Sequence, residues 1–273
     1  MPKSTDVPHE LRPLNKIFSE NDYRWDCAEA FRDWVDFLTE SFMPVRQGIY
    51  EQLKKRYGDL DWFVRMTQEW VRLQSQQIVG DNDWYDSLGT YYEILASQSK
   101  RQILGQLFTP PSLVDMMTAI QGADQSLTDK GQLVNDPCSG SGRMLLAFHA
   151  KAPGNFQFGA DLDSICAKMT AVNMCIHGCV GQAVCMDSLQ PDEWRFGYHI
   201  NRYLNRGGGP SIEPMTGREE CHSWKLWQKE KAEWAEKNKT QPDLPPPIPA
   251  AAQASALTPQ QKRAEKMGQM SLF

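Results

Sequence analysis

The chain has 273 residues, 41% of them hydrophobic, enough for one substantial core with appendages. Its 29 Lys and Arg against 34 Asp and Glu leave a formal net charge of −5, so bulk charge does not steer it to nucleic acid and any such contact needs a local basic patch. No run of 18 apolar residues and no charged-then-apolar leader is present, so no membrane span or signal peptide is expected, and the seven cysteines are expected as reduced thiols in the cytoplasm.

Residues 1–20 carry Pro2, Pro8 and Pro13 with little periodicity and are expected as a loose arm. Asp26 then stands as the N-cap of an amphipathic helix with Phe31, Trp34, Val35, Leu38 and Phe42 on one face. Pro44 marks its end. A second helix is expected over about 47–57 and a third over about 60–78, the latter carrying Phe63, Met66, Trp70 and Leu73 at helical spacing. Such a stripe can line a nucleic-acid groove, but a helical core is the favoured reading. Residues 83–104 read as helical, with Tyr91, Ile94 and Leu95 inward. Lys100 and Arg101 follow, either phosphate contacts or a solvated basic pair. Ser112 is expected to cap the next helix, which carries Leu113, Met116, Met117 and Ile120.

Residues 133–189 organise the chain. Leu133-Val134-Asn135-Asp136, Phe156-Gln157-Phe158-Gly159-Ala160-Asp161 and Ala183-Val184-Cys185-Met186-Asp187 are short apolar runs, each ending in an acid. A glycine turn and a helical pattern follow the first; a helical pattern over 164–177 follows the second. This alternation indicates βα units in a parallel sheet, whose ligands sit beyond the carboxyl ends of the strands. Gly140 and Gly142 allow a sharp turn and a close backbone approach to a ligand. The helix starting near Arg143 offers free backbone N–H groups. Asp161 is placed for ribose hydroxyls, Asp187 for an exocyclic adenine amine, and Asp136 for an ammonium group. Together they describe a site for an adenosine with a positively charged amino-acid tail. Cys175, His177 and Cys179 raise the question of a metal, but no second Cys/His pair stands at zinc spacing, and a helix end packed in a core is favoured.

Residues 190–214 look irregular, and no apolar run there reads as a fourth strand. Tyr198, His199, Asn201, Arg202, Tyr203 and Arg206 form either a substitute base-binding surface or a loop capping the sheet edge, the latter favoured. Residues 217–239 read as a Lys/Glu-rich helix with Trp224, Trp227 and Trp234 on one stripe, and its mixed signs argue against a dedicated DNA helix. Pro242, Pro245, Pro246, Pro247 and Pro249, then Ala-rich sequence, mark an extended linker.

Asp136-Pro137-Cys138-Ser139-Gly140-Ser141-Gly142 resembles motif I of the S-adenosylmethionine-dependent adenine-N6 DNA methyltransferases, especially the methylation subunits of type I restriction-modification systems. Gly105-Gln106-Leu107-Phe108-Thr109-Pro110-Pro111 resembles that family's motif X, and Asp86-Ser87-Leu88-Gly89-Thr90-Tyr91-Tyr92-Glu93 its helical lead-in. Gly159-Ala160-Asp161 falls on motif II, with Ala171-Val172-Asn173-Met174-Cys175-Ile176-His177-Gly178 on the helix after it, and Met186-Asp187-Ser188-Leu189 on motif III. The resemblance implies S-adenosylmethionine held by Phe108, Thr109, Asp136, Gly140, Gly142, Asp161 and Asp187, and DNA adenine as the methyl acceptor. The family's Asn/Asp-Pro-Pro-aromatic motif, which grips a flipped base, is not recognisable. Gly209-Pro210 lies where it is due in sequence but lacks the second proline and the aromatic. Asp243-Leu244-Pro245-Pro246-Pro247 has an inserted Leu and no aromatic. The last five residues, Gln269-Met270-Ser271-Leu272-Phe273, resemble the peptide that bacterial proteins insert into the sliding clamp, with Leu272 and Phe273 filling an apolar pocket and Gln269 orienting it.

The expected fold is α/β, a helical N-terminal region on a reduced, Rossmann-like parallel sheet. The expected divisions are a flexible arm (1–20), a helical region (21–104), a truncated cofactor domain (105–215), a C-terminal helix (216–240), a linker (241–268) and a clamp-binding peptide (269–273). Three functions remain open: a DNA methyltransferase, a catalytically silent binding module recruited to the clamp, or a different S-adenosylmethionine-dependent reaction that nothing in the sequence selects. The second would be a subunit beside a catalytic or specificity partner, or an accessory protein of a phage or mobile element.

Overall fold

The computed structural model describes residues 2–21, 24–80, 83–98 and 108–239. Lys100, Arg101, Gly105 to Leu107, the linker and the residues Gln269, Leu272 and Phe273 lie outside them. The chain divides into two compact units, Met1–Trp227 and Gln228–Phe273.

The first unit begins with helices rather than a loose arm. Two short 3-10 turns lead into α1 (Arg12–Phe18), and Leu11, Leu14 and Phe18 are buried. Pro13 does not break this helix, because in the first turn its missing N–H has no partner to lose. α2 (Cys27–Ser41) is capped by Asp26, which accepts from Ala28 and Glu29 N–H, and it buries Phe31, Trp34, Val35 and Leu38. α3 (Ile49–Tyr57) and α4 (Asp61–Gln77) follow. Phe63, Met66, Trp70 and Leu73 of α4 are all buried, so this stripe is core.

The large side chains bring polar tips inward, and these find partners. Trp62 Nε1 donates to Ile17 O at 2.9 Å, Trp70 Nε1 to Ser87 Oγ at 2.8 Å, and Tyr91 OH to Asn15 Oδ1 at 2.7 Å. Each buried aromatic contributes about 1.5–3 kcal/mol of apolar transfer free energy, so α1, α4 and α5 (Ser87–Gln98) are held as one layer.

α6 (Pro111–Ile120) starts at Pro110 as N-cap, not at Ser112, which lies inside the first turn. It buries Val114 and Thr118 and leaves Leu113, Met116, Met117 and Ile120 exposed.

The sheet, five strands among the described residues, runs in the order β1 (Leu133–Asp136), β2 (Phe156–Asp161), β3 (Val180–Cys185), β4 (Phe196–Ile200), β5 (Ile212–Pro214). β1, β2 and β3 are parallel, joined through α7 (Arg143–Lys151) and α8 (Ser164–Ile176). β4 and β5 are antiparallel. The sheet is therefore mixed, and 190–214 holds two strands where none was expected. The reason is local: Gly197 interrupts the apolar run of β4, and a Cβ there would fall 2.7 Å from Val184 and Met215. Close packing removed the side chain that would have marked the strand.

Gly159 of β2 faces Leu145 and Thr170 of the helical layer. Ala160, Val184 and Met186 pack with Met215, Cys221 and Trp224 in a separate apolar cluster. α9 (His222–Lys239) begins in the first unit, and Trp234, which falls in the second, is 46% exposed. Among the described residues no helix is long and apolar enough to cross a membrane.

Candidate cofactor site

The site forms at the carboxyl ends of β1 and β2. Ser139 N–H donates to Ala160 O at 2.9 Å, which draws the chain leaving β1 across β2. Gly140 then turns with φ 56° and Gly142 with φ 92°, the left-handed region that L side chains adopt at a cost. Gly140 also faces the Phe108 ring so closely that a Cβ would sit 2.9 Å from Cδ1. Thr170 Oγ1 donates to Gly140 O at 3.0 Å, so α8 fixes the turn from behind.

A pocket opens here, with about 350 Å³ of empty space including open solvent. Phe108, Thr109, Asp136, Cys138, Gly140 and Arg143 are among the residues that line it. Four sequence-predicted residues (Phe108, Thr109, Asp136, Gly140) thus share one wall. Asp161 stands behind it, its Oδ2 accepting from Gly140 N at 2.9 Å and its Oδ1 from Asp163 N at 2.8 Å. Gly142 is the N-cap of α7 and turns toward Thr170 rather than the pocket. Asp187 lies outside the wall; its Oδ1 accepts from Leu189 N at 2.8 Å and Gln190 N at 3.3 Å.

Burial, above all, pushes the Asp136 carboxyl above the usual range, and the Asp161 charge adds to this against one Cys138 N–H hydrogen bond. Burial likewise raises Asp161, opposed by the N–H groups of Asp163 and Gly140. The Cys138 thiol is pushed up by burial and by Asp136, Asp161 and Asp187. The arrangement is acidic, and among the described residues neither Asp136 nor Asp161 forms an ion pair.

The one cation in the wall among the described residues, Arg143, is committed elsewhere. Arg143 Nε meets Asp86 Oδ2 at 2.7 Å, Nη2 meets Glu93 Oε2 at 2.8 Å, and Nη1 donates to Thr109 O at 3.0 Å. Asp86 also accepts from Ser141 Oγ at 2.6 Å, Gly89 N at 2.8 Å and Asn173 Nδ2 at 2.8 Å. Glu93 Oε1 accepts from Phe108 N at 3.0 Å. Sequence reasoning assigned no role to Arg143, Asp86, Asn173 or Glu93 in this network. The available signal was the presence of Asp86 and Glu93 in the helical lead-in, but nothing local ties them to Arg143.

Among the described residues, the far end of the sheet holds no second half of the site. β4 is antiparallel, so Ile200 lies beside Gly181 at the amino end of β3, opposite the Gly140 turn. Asn201 (φ 55°) donates to Cys175 O and Cys179 O, each at 2.9 Å, and accepts from Ser211 N at 3.0 Å. It closes the α8 end onto β5. His199 Nε2 is 2.7 Å from Glu220 Oε2. Gly209-Pro210, where the base-gripping motif was due in sequence, is therefore on the wrong end of the sheet to meet the pocket. Cys175 and Cys179 are fully buried, and the His177 ring takes Tyr85 N–H at 3.3 Å and faces Asn173 O at 2.7 Å.

A glycine turn between parallel strands that end in acids, walled by an aromatic from an upstream segment, defines the class: an α/β domain with a pocket beyond the carboxyl ends of its parallel strands. Residues 83–202 match the model of a family described as N-6 DNA Methylase. The resemblance to adenine-N6 DNA methyltransferases holds over that segment, which contains Asp86, Glu93, Phe108 and β1 to β4. No curated protein and no solved structure matches the chain.

Proposed function

We propose that the chain binds S-adenosylmethionine at the Gly140 turn and serves adenine-N6 methylation of DNA, with the base-gripping group supplied from outside the described residues. The observation that carries this reading is the pair of half-buried carboxylates, Asp136 and Asp161, beside a pocket whose one arginine among the described residues is already neutralised. Such a pocket favours a ligand with its own positive charge. The residues present fit the cofactor. Asp136 keeps one oxygen for an ammonium, and Asp161 retains acceptor capacity for ribose hydroxyls. Phe108 and Thr109 wall the pocket; Asp187, outside that wall, takes the adenine amine only in the resemblance-based reading. The cofactor brings an electrophilic methyl group; this chain's part is to orient it and exclude water. Its seven cysteines are free thiols, in keeping with a reducing cytoplasm.

The direction of β4 bears on the rest. A strand that ends away from the pocket leaves the target amine without a gripping group from this part of the chain. A partner subunit, catalytic or specificity-giving, fills that role in this reading. The same observation, with the pentapeptide ending in Phe273, supports a second reading: a silent methyltransferase-like module brought to the sliding clamp by Gln269, Leu272 and Phe273.

Calorimetry with S-adenosylmethionine and labelled methyl transfer to unmethylated DNA, in one sample, separate these. Binding with transfer gives an enzyme; binding without transfer gives a subunit or a silent module. Absence of binding removes the cofactor reading. Co-migration with a bacterial clamp, lost on deletion of Leu272 and Phe273, tests the second reading on its own.

A further inference from the structure

We propose that Glu93 is a positioning residue that latches Phe108 over the glycine turn and so makes α5 part of the cofactor pocket. This rests on the reading that the pocket takes S-adenosylmethionine. The two oxygens of Glu93 do different things. Oε1 accepts from the Phe108 backbone N–H at 3.0 Å; Oε2 holds Arg143 Nη2 at 2.8 Å. Arg143 in turn donates to Thr109 O at 3.0 Å. The peptide groups on both sides of the Phe108–Thr109 step are therefore tied, one directly and one through the guanidinium.

The ring is held as well. Tyr92, next to Glu93 on α5, stacks on Phe108 with centroids 5.7 Å apart and planes at 24°. The Arg143 guanidinium lies 5.4 Å from the same ring centroid. Gly140 closes the third side, with no room for a Cβ. Phe108 thus presents one fixed edge to the pocket it lines. A wall ordered before the ligand arrives spares the ligand the entropy of ordering it.

Glu93 suits this role better than that of a folding element. Its side chain is 28% exposed, against 1% for Asp86, the other carboxylate on Arg143. A partly exposed ion pair adds little to global stability. Loss of Asp86 strands a buried arginine; loss of Glu93 leaves Arg143 paired and releases the Phe108 wall.

The test compares wild type, Glu93→Ala and Glu93→Gln as full chains, in melting temperature, calorimetric affinity for S-adenosylmethionine and hydrogen exchange at the Phe108 amide. Glu93→Ala is expected to melt near wild type, exchange the Phe108 amide faster, and bind at least about tenfold more weakly. Glu93→Gln keeps an acceptor for Phe108 N–H but not the charge for Arg143, and is expected between the two. A folded Glu93→Ala with wild-type affinity overturns the proposal, as does equal exchange of the Phe108 amide in all three proteins. If Glu93→Ala does not fold, a Glu93→Gln protein indistinguishable from wild type in affinity and exchange also overturns it. Wild type that binds no cofactor defeats the cofactor reading first, and the positioning role falls with it; the exchange data still report whether the Phe108 hydrogen bond forms.

Discussion

Arg143 and Asp86 meet at 2.7 Å across 57 residues of sequence, beneath the glycine turn. Both side chains are almost wholly buried. Asp86 also takes Ser141, Gly89 and Asn173, so a single carboxylate joins the start of α5, the turn and α8. Removing one partner of a buried pair leaves the other charge uncompensated, at a cost of about 3–5 kcal/mol. Asp86→Ala is expected to lose stability on that scale, read as a lower urea midpoint. A loss under about 1 kcal/mol would assign the pair to the weak, solvent-screened class.

Asp161 has a local duty and a proposed ligand duty. Its Oδ2 pins Gly140 N–H. Asp161→Ala is expected to weaken S-adenosylmethionine binding by at least about tenfold, since a charged hydrogen bond contributes roughly 1.5–3 kcal/mol. Calorimetry at neutral pH decides; unchanged affinity withdraws Asp161 from the site.

At Gly140 two penalties coincide. The left-handed φ costs any L residue about 1–2 kcal/mol, and the added Cβ meets Phe108 at 2.9 Å. Gly140→Ala is expected to destabilise the chain on that scale and to abolish measurable cofactor binding. Adding Phe108→Ala relieves the contact but not the backbone strain, so the double variant should recover only part of the lost stability.

Acid should weaken the cofactor site before it reaches the ordinary carboxylate range. The Asp136 carboxyl is raised, chiefly by burial, so it is neutralised earlier than a free carboxylate as pH falls, and a neutral group no longer attracts a cation. Affinity measured from neutral pH downward is expected to decline, and Asp136→Asn to flatten that profile at a lower plateau. For folding the sign is the reverse: the native form binds this proton more tightly, so the Asp136 contribution to stability rises as pH drops through its folded value.

Two half-buried histidines act the other way on folding. Burial lowers both His149 and His177 below the ordinary 6.5. The unfolded chain then takes up protons that the folded chain refuses. Their contribution is fully present above pH 6.5 and is lost as pH falls from there toward their folded values. Urea midpoints at pH 7.5 and 5.5 are expected to differ, with the lower value at 5.5, and His149→Gln to reduce the difference. A midpoint difference that is the same in wild type and His149→Gln would withdraw the His149 contribution.

Much of the site was legible because its parts are local. A strand that ends in an acid, a glycine turn and a capped helix are written within a few residues of one another, and Asp136 with Gly140 or Asp26 at its helix needs no distant partner. The burial of Leu11, Leu14 and Phe18 was not legible, because three prolines obscure a helix of seven residues whose apolar positions are satisfied only against α4 and α5. β4 was hidden by Gly197.

The sequence by itself therefore determined the βα units, the turn and the acids that end the strands, since periodicity and φ preference act between near neighbours. Only the tertiary structure decided that β4 runs antiparallel, which sends Asn201 and Gly209-Pro210 to the far end of the sheet. It also decided that Arg143 serves Asp86 and Glu93 rather than a ligand. Strand direction and ion-pair choice are settled by which surfaces meet when the layers pack, and neither has a local energy that a short window of sequence can reveal.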